Sequence, residues 1–146
     1  MEKFMKQALL MALKAEKIDE VPIGAVIVKD GVIIAKGYNK RESSQCATAH
    51  AEIIAINKAC KKLNSWRLDG AEIYVTLEPC PMCAGAIMNA RISKVIFGAY
   101  EPKSGACGSK FDVIGQSGLN HNAIAIGGVI EKECSTLIKN YFKKKR

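Results

Sequence analysis

Two short stretches constrain this chain more than anything else in it: Thr48-Ala49-His50-Ala51-Glu52 and, some thirty positions later, Glu78-Pro79-Cys80-Pro81-Met82-Cys83. An imidazole and two thiols at Cys-x-x-Cys spacing are donors that one metal ion gathers, with a carboxylate to spare. A fold that unites them must set the two stretches side by side. Each stretch also stands where a helix is expected to begin.

Pro81 suits the first position of a helix, where a missing N–H costs nothing, so Cys80 is expected at the cap and Cys83 three residues on. Free N–H groups and the positive helix end there favour thiolate, the form a metal binds. Upstream, Ile53, Ile54, Ile56, Ala59 and Cys60 follow helical spacing, which predicts a helix over 49–63 capped by Thr48. His50 and Glu52 would share its first turn, where Cβ bonds tilt toward the N-terminus and side chains crown the axis. Two helix ends could then meet over one ion.

The remaining elements supply a frame. Apolar residues at three- and four-residue steps predict an amphipathic helix over 2–18. The runs Val21–Val28 and Val32–Tyr38 flank Lys29-Asp30-Gly31 and read as a hairpin. Residues 39–48 are polar and without periodicity, so a loop is expected. Strands are expected over 72–77, 94–98 and 123–127, and helices over 80–89 and 130–144, with a Gly- and Ser-rich loop over 101–110 and residues 111–120 ambiguous. Alternating strands and helices predict an α/β fold, a three-layer α/β/α domain.

At 146 residues the chain is expected to form one domain, 1–146, around one core. Its 22 Lys and Arg against 14 Asp and Glu give +8, which points to an anionic partner, nucleic acid being the commonest. Lys139 and Lys143 to Arg146 concentrate part of that charge at the C-terminus, where cations also suit a helix end. No run approaches the ~20 apolar residues of a membrane span and no signal peptide is legible, so a cytoplasmic location with reduced thiols is expected.

One imidazole and two thiolates leave a tetrahedral position open for water, the arrangement of catalytic zinc. Glu52 is left over as a base. Zinc acidifies water toward neutrality, and a neighbouring carboxylate can carry the proton. Cys-x-x-Cys alone would also suit a redox pair, or half of a structural site completed by Cys46 or Cys107. His-x-Glu combined with Pro-Cys-x-x-Cys is more specific: it is the signature of zinc-dependent base deaminases.

On these motifs the sequence resembles the cytidine-deaminase-like superfamily and, within it, the bacterial tRNA-specific adenosine deaminases. The likeness extends through Val21-Pro22-Ile23-Gly24-Ala25-Val26, Gly37-Tyr38-Asn39, Val75 to Ala86, Phe97-Gly98-Ala99, Asn120-His121 and Glu133-Cys134. It implies a five-stranded mixed sheet, a homodimer, one Zn²⁺ per subunit held by His50, Cys80 and Cys83, and Glu52 shuttling protons. The implied reaction converts adenosine to inosine at the wobble position of a tRNA anticodon stem-loop. A deaminase of a free base or nucleotide (guanine, cytosine or deoxycytidylate) would share the zinc site.

The resemblance further implies substrate contacts from Asn39, Val26, Ala51, Glu78, Pro79, Glu101, Lys103 and His121. It adds rings and charges from Tyr141, Phe142 and Arg146, with Tyr141 or Phe142 expected to face the core in part. Glu101 stands where the family usually carries Asp, and Gln45-Cys46-Ala47 replaces the more usual Asp-Pro. Tyr141 stands where Phe is common, and none of these departures touches a metal ligand.

Overall fold

The computed structural model describes residues 1–115 and 121–145. Helix α1 (Glu2–Lys17) leads into β1 (Gly24–Lys29) and β2 (Val32–Tyr38). A short α2 (Arg41–Ser44) and α3 (Ala51–Leu63) precede β3 (Glu72–Leu77), α4 (Pro81–Asn89) and β4 (Lys94–Ala99). The short β5 (Ile124–Ile126) and α5 (Glu131–Lys145) close the fold. One mixed sheet runs in the order β2-β1-β3-β4-β5. β1 is antiparallel to both neighbours, whereas β3, β4 and β5 are parallel.

Helices cover both faces, so the central strands read as unbroken apolar runs rather than alternating ones. Successive side chains still point to opposite sides. Ala25, Ile27, Ile73, Val75, Val95 and Phe97 pack toward α3 and α4. Val26, Val28, Tyr74 and Ile96 pack with Met5 and Ala8 of α1 and Cys134 of α5. This is the three-layer α/β/α arrangement that the alternation of elements predicts.

The hairpin turn places Asp30 at φ 52° and Gly31 at φ 76°, the left-handed pair that a two-residue turn between twisted strands requires. Gly37 answers a different need. A Cβ there would lie 2.5 Å from the Ala51 carbonyl oxygen and 2.8 Å from the Ala55 nitrogen, so the start of α3 rests directly on the β2 backbone.

Two expectations are corrected. Residues 39–48 are not wholly loop: Arg41–Ser44 form a helical turn ended by Gln45 in the left-handed conformation. Helix α3 is capped by His50, not Thr48. His50 is extended, at φ −79° and ψ 154°, and its carbonyl accepts the Ile54 N–H at 3.0 Å. The Thr48 hydroxyl instead pairs with the Cys46 thiol at 3.4 Å. At the other junction Cys80 caps α4 with Pro81 next, as expected.

Candidate active site

The strand ends converge on a cleft of about 260 Å³. The exit of β3 supplies Leu77 and Glu78, the entry to β1 supplies Val21 and Ile23, and the exit of β2 supplies Asn39. Because β1 runs against β3, its first residues lie beside the last residues of β3. The Gly24 N–H donates to the Thr76 hydroxyl at 3.1 Å across that junction. A cleft outside the carboxyl ends of parallel strands is where α/β sheets bind ligands.

Both helix caps open into this cleft. His50 Nδ1 lies 3.5 Å from Cys83 Sγ and 3.8 Å from Cys80 Sγ, and the three donor atoms fall within 4.8 Å of one another. Bonds of ~2.0–2.3 Å from one tetrahedral ion would separate its ligands by roughly these amounts, so His50, Cys80 and Cys83 fit a metal. The protonation pattern agrees. A hydrogen bond from the Cys83 thiol, aided by His50, pulls Cys80 down to about 4, against the cost of its burial. The same bond, with burial, pushes Cys83 well above the thiol range. The Cys80 contact also raises His50. The cluster holds a thiolate among protons that a cation would displace.

Glu52, two residues beyond His50 in the first turn of α3, is 4% exposed. Burial pushes its carboxyl up to about 7. Desolvation of this kind turns a weak base into one that exchanges protons near neutrality.

Likeness to known proteins fits this chemistry. The sequence profile of the MafB19-like deaminases matches residues 1–146. The chain belongs to that deaminase family. The tRNA-specific adenosine deaminase of Bacillus subtilis is 49% identical, covering 99% of this chain and 90% of its own. That of Haemophilus influenzae is 44% identical, covering 99% and 84%. A structure from work on A-to-I editing by tRNA:A34 deaminases at the wobble position superposes with a TM-score of 0.89, at 45% identity over 92% of this chain and 98% of its own. Guanine deaminase from Nitrosomonas europaea gives 0.82 at 25% identity, over 96% and 83%.

The deaminase brings five of the eleven expected substrate contacts to the lining of the cleft. Asn39, Ala51, Glu78, Glu101 and Phe142 line it. Asn39 is braced at both ends: Nδ2 donates to the Val21 carbonyl at 3.4 Å, and Oδ1 accepts the Arg41 N–H at 3.2 Å. Each end of the amide keeps one further hydrogen-bonding capacity for a ligand. Glu78 is 2% exposed and faces the 101–109 loop, accepting the N–H groups of Glu101 (3.0 Å), Cys107 (3.0 Å) and Ser109 (3.1 Å) and the Ser109 hydroxyl. It shapes the wall from behind. Pro79 is buried, and its carbonyl takes the Ala106 N–H of the same loop at 2.8 Å.

Four expected contacts stand elsewhere. Val26 is fully buried on the α1 side of the sheet; one residue of register turns it away from the cleft, and Val21 and Ile23 serve there instead. His121 Nε2 lies 2.8 Å from the Ile92 carbonyl, which ties it to the loop before β4. The Tyr141 hydroxyl donates to the Asp19 carbonyl at 3.1 Å, leaving Phe142, 46% exposed, as the ring over the cleft. Lys103 is exposed beside the lining residue Ser104. Arg146 and Asn120 lie outside the described residues.

Sequence reasoning missed Arg41 and Ile138, which also line the cleft. Arg41 carried a signal, a cation two residues beyond Asn39. Ile138 carried none, because only tertiary packing lays α5 against the cleft.

Proposed function

We propose that this deaminase hydrolyses adenosine to inosine at the wobble position of a tRNA anticodon, using one zinc ion per subunit. The observation that carries the reading is the His50, Cys80 and Cys83 cluster with a buried Glu52 carboxyl beside it, at the floor of a cleft. The names of the relatives and the charge of +8 supply the substrate class. Bound zinc would supply Lewis acidity, lowering the pKa of water in the site.

Glu52 does the proton work: it takes a proton from the attacking water, delivers it to a ring nitrogen beside C6, and passes the second to the departing ammonia. Asn39 offers its remaining N–H and lone pair to the edge of a flipped base. Phe142 presents a ring for stacking, and Arg41 a cation for a flanking phosphate. The charge of the tail falls on Lys143 and Lys144, which are exposed, whereas Lys145 is paired with Asp19.

A homodimer in the cytoplasm belongs to the same proposal. The α3/α4 side leaves Met82 36% and Trp66 60% exposed, apolar surface that a second copy would cover. Light scattering at twice the chain mass would bear this out, and a monomer would reject it. No helix among the described residues is long and apolar enough to cross a membrane.

The deciding experiment is incubation of the zinc-loaded protein with an anticodon stem-loop carrying adenosine at the wobble position, followed by nucleoside analysis. Inosine is expected from the wild type, and Glu52→Gln is expected to lose about 10²–10⁴-fold in rate while holding its metal. A wild type that leaves the RNA unchanged rejects the reading. The likeness to guanine deaminase supports a second reading, deamination of a free purine base. Ammonia released from guanine, with none from RNA, would select it.

A further inference from the structure

Glu20 is a carboxylate that the chemistry above does not use, and it is 1% exposed. Burying a charge is costly unless hydrogen bonds replace its water. Here both oxygens are engaged by a segment more than twenty residues away. Oε1 accepts the Glu42 N–H at 3.1 Å and Oε2 the Ser43 N–H at 2.5 Å. These are free donors of the first turn of α2. A four-residue helix is far too short to persist by itself, so an outside acceptor is what fixes this turn.

The neighbours of Glu20 extend the same role. The Val21 carbonyl receives the Asn39 amide, and Val21 itself lines the cleft. On the other side, the Asp19 carbonyl accepts the Tyr141 hydroxyl and its carboxylate takes Lys145 Nζ, at 2.6 Å to Oδ1 and 2.7 Å to Oδ2. That bond network seats α5, whose Ile138 and Phe142 also line the cleft. The Asp19–Lys145 pair is exposed and worth little by itself. The doubly bonded, buried Glu20 is the firm point of the segment.

We propose that Glu20 is a positioning residue for the deaminase: through the α2 turn it sets the wall that carries Asn39 and Arg41, and so governs the affinity for RNA rather than the chemical step. The kinetic part of this rests on the tRNA adenosine reading. The Glu20 carboxylate bonds the Glu42 and Ser43 N–H groups, not the metal ligands or Glu52, so a loosened wall costs binding first.

The test compares zinc-loaded wild type, Glu20→Gln, Glu20→Ala and Leu68→Ala, the last a buried core residue outside the cleft. Steady-state kinetics on the anticodon stem-loop are measured alongside hydrogen exchange of the peptide spanning 40–48. Glu20→Ala is expected to raise KM at least tenfold with kcat within threefold and full zinc content. Glu20→Gln, which keeps the size and one acceptor oxygen, is expected to fall in between. Exchange over 40–48 should quicken at least tenfold in both, while the α4 peptide is unchanged. Leu68→Ala should lower Tm without the KM shift.

An unchanged KM, a loss expressed in kcat alone, or unaltered exchange over 40–48 overturns the proposal. So does failure of both Glu20 variants to fold, which would make Glu20 a residue of general stability. If the wild type itself makes no inosine, the functional reading fails, and the exchange measurement still decides whether Glu20 holds the wall.

Discussion

At the scale of single residues, two buried carboxylates outside the chemistry hold separate stretches of the cleft wall by collecting backbone N–H groups. Glu20 does so for the α2 turn and Glu78 for the 101–109 loop. For Glu20 the balance of forces is visible. Burial opposes its ionisation, but the N–H groups of Ser43 and Glu42 outweigh that, with help from the Ser43 side chain and Arg41, and hold the group below its ordinary 4.5. A carboxylate whose pKa is depressed by folding stabilises the fold above its unfolded pKa and loses that contribution as pH falls through the folded value. Denaturant titrations of wild type and Glu20→Gln should therefore differ in favour of the wild type at pH 6–7. The gap should start to close below about pH 4.5–5 and vanish at lower pH. A gap independent of pH would show that the carboxylate charge is not what matters. The sequence displayed Glu20 only as one acid in a charged stretch. Its partners lie more than twenty positions away, and no local pattern encodes them. His50, Glu52, Cys80 and Cys83 were legible for the opposite reason: their chemistry is written in spacings of two and three residues.

At the scale of elements, the site depends on where α3 and α4 begin. The start of α4 could be read directly, since Pro81 marks the first position and Cys80 the cap. The start of α3 is harder to read, because Thr48 is the better capping residue by type, whereas the fold uses the extended His50. What sets that start is contact with β2, through Gly37. In Gly37→Ala the new methyl meets backbone atoms of Ala51 and Ala55, which have no rotamer to yield by. Overpacking of this kind costs about 1–3 kcal/mol. The shift would fall on the residues beside His50, so the variant should lose zinc to a chelator faster than wild type as well as melt lower. Normal metal retention with a lowered Tm would mean that the strain relaxes into β2. Strand faces show the same division of legibility. The apolar runs announced β1 and β3, but a run apolar throughout does not say which side Val26 faces.

At the scale of the whole molecule, RNA binding turns on charge and on which cations are available. The excess of +8 is a property of composition, yet the fold sorts it. Lys145 is tied to Asp19, Lys94 to Glu72, Arg67 to Asp69 and, at 3.5 Å on an exposed face, Arg41 to its neighbour Glu42, while Lys143 and Lys144 are exposed at the end of α5, just beyond the cleft-lining Phe142. Each single-strand phosphate neutralised by a cation releases condensed counterions and contributes a slope of roughly −0.7 to log K against log salt concentration. Binding of the anticodon stem-loop should weaken steeply with salt. Lys143→Gln with Lys144→Gln should flatten that dependence by roughly 0.7–1.4, one or two phosphate contacts, and leave kcat at saturating RNA near wild type. The same measurement on Lys145→Gln should show a smaller change, because its ammonium is already spent on Asp19. Equal flattening by the two substitutions would mean that the tail leaves Asp19 when RNA binds. Unchanged slopes throughout would move the phosphate contacts away from α5 and onto Arg41 and the 101–109 loop.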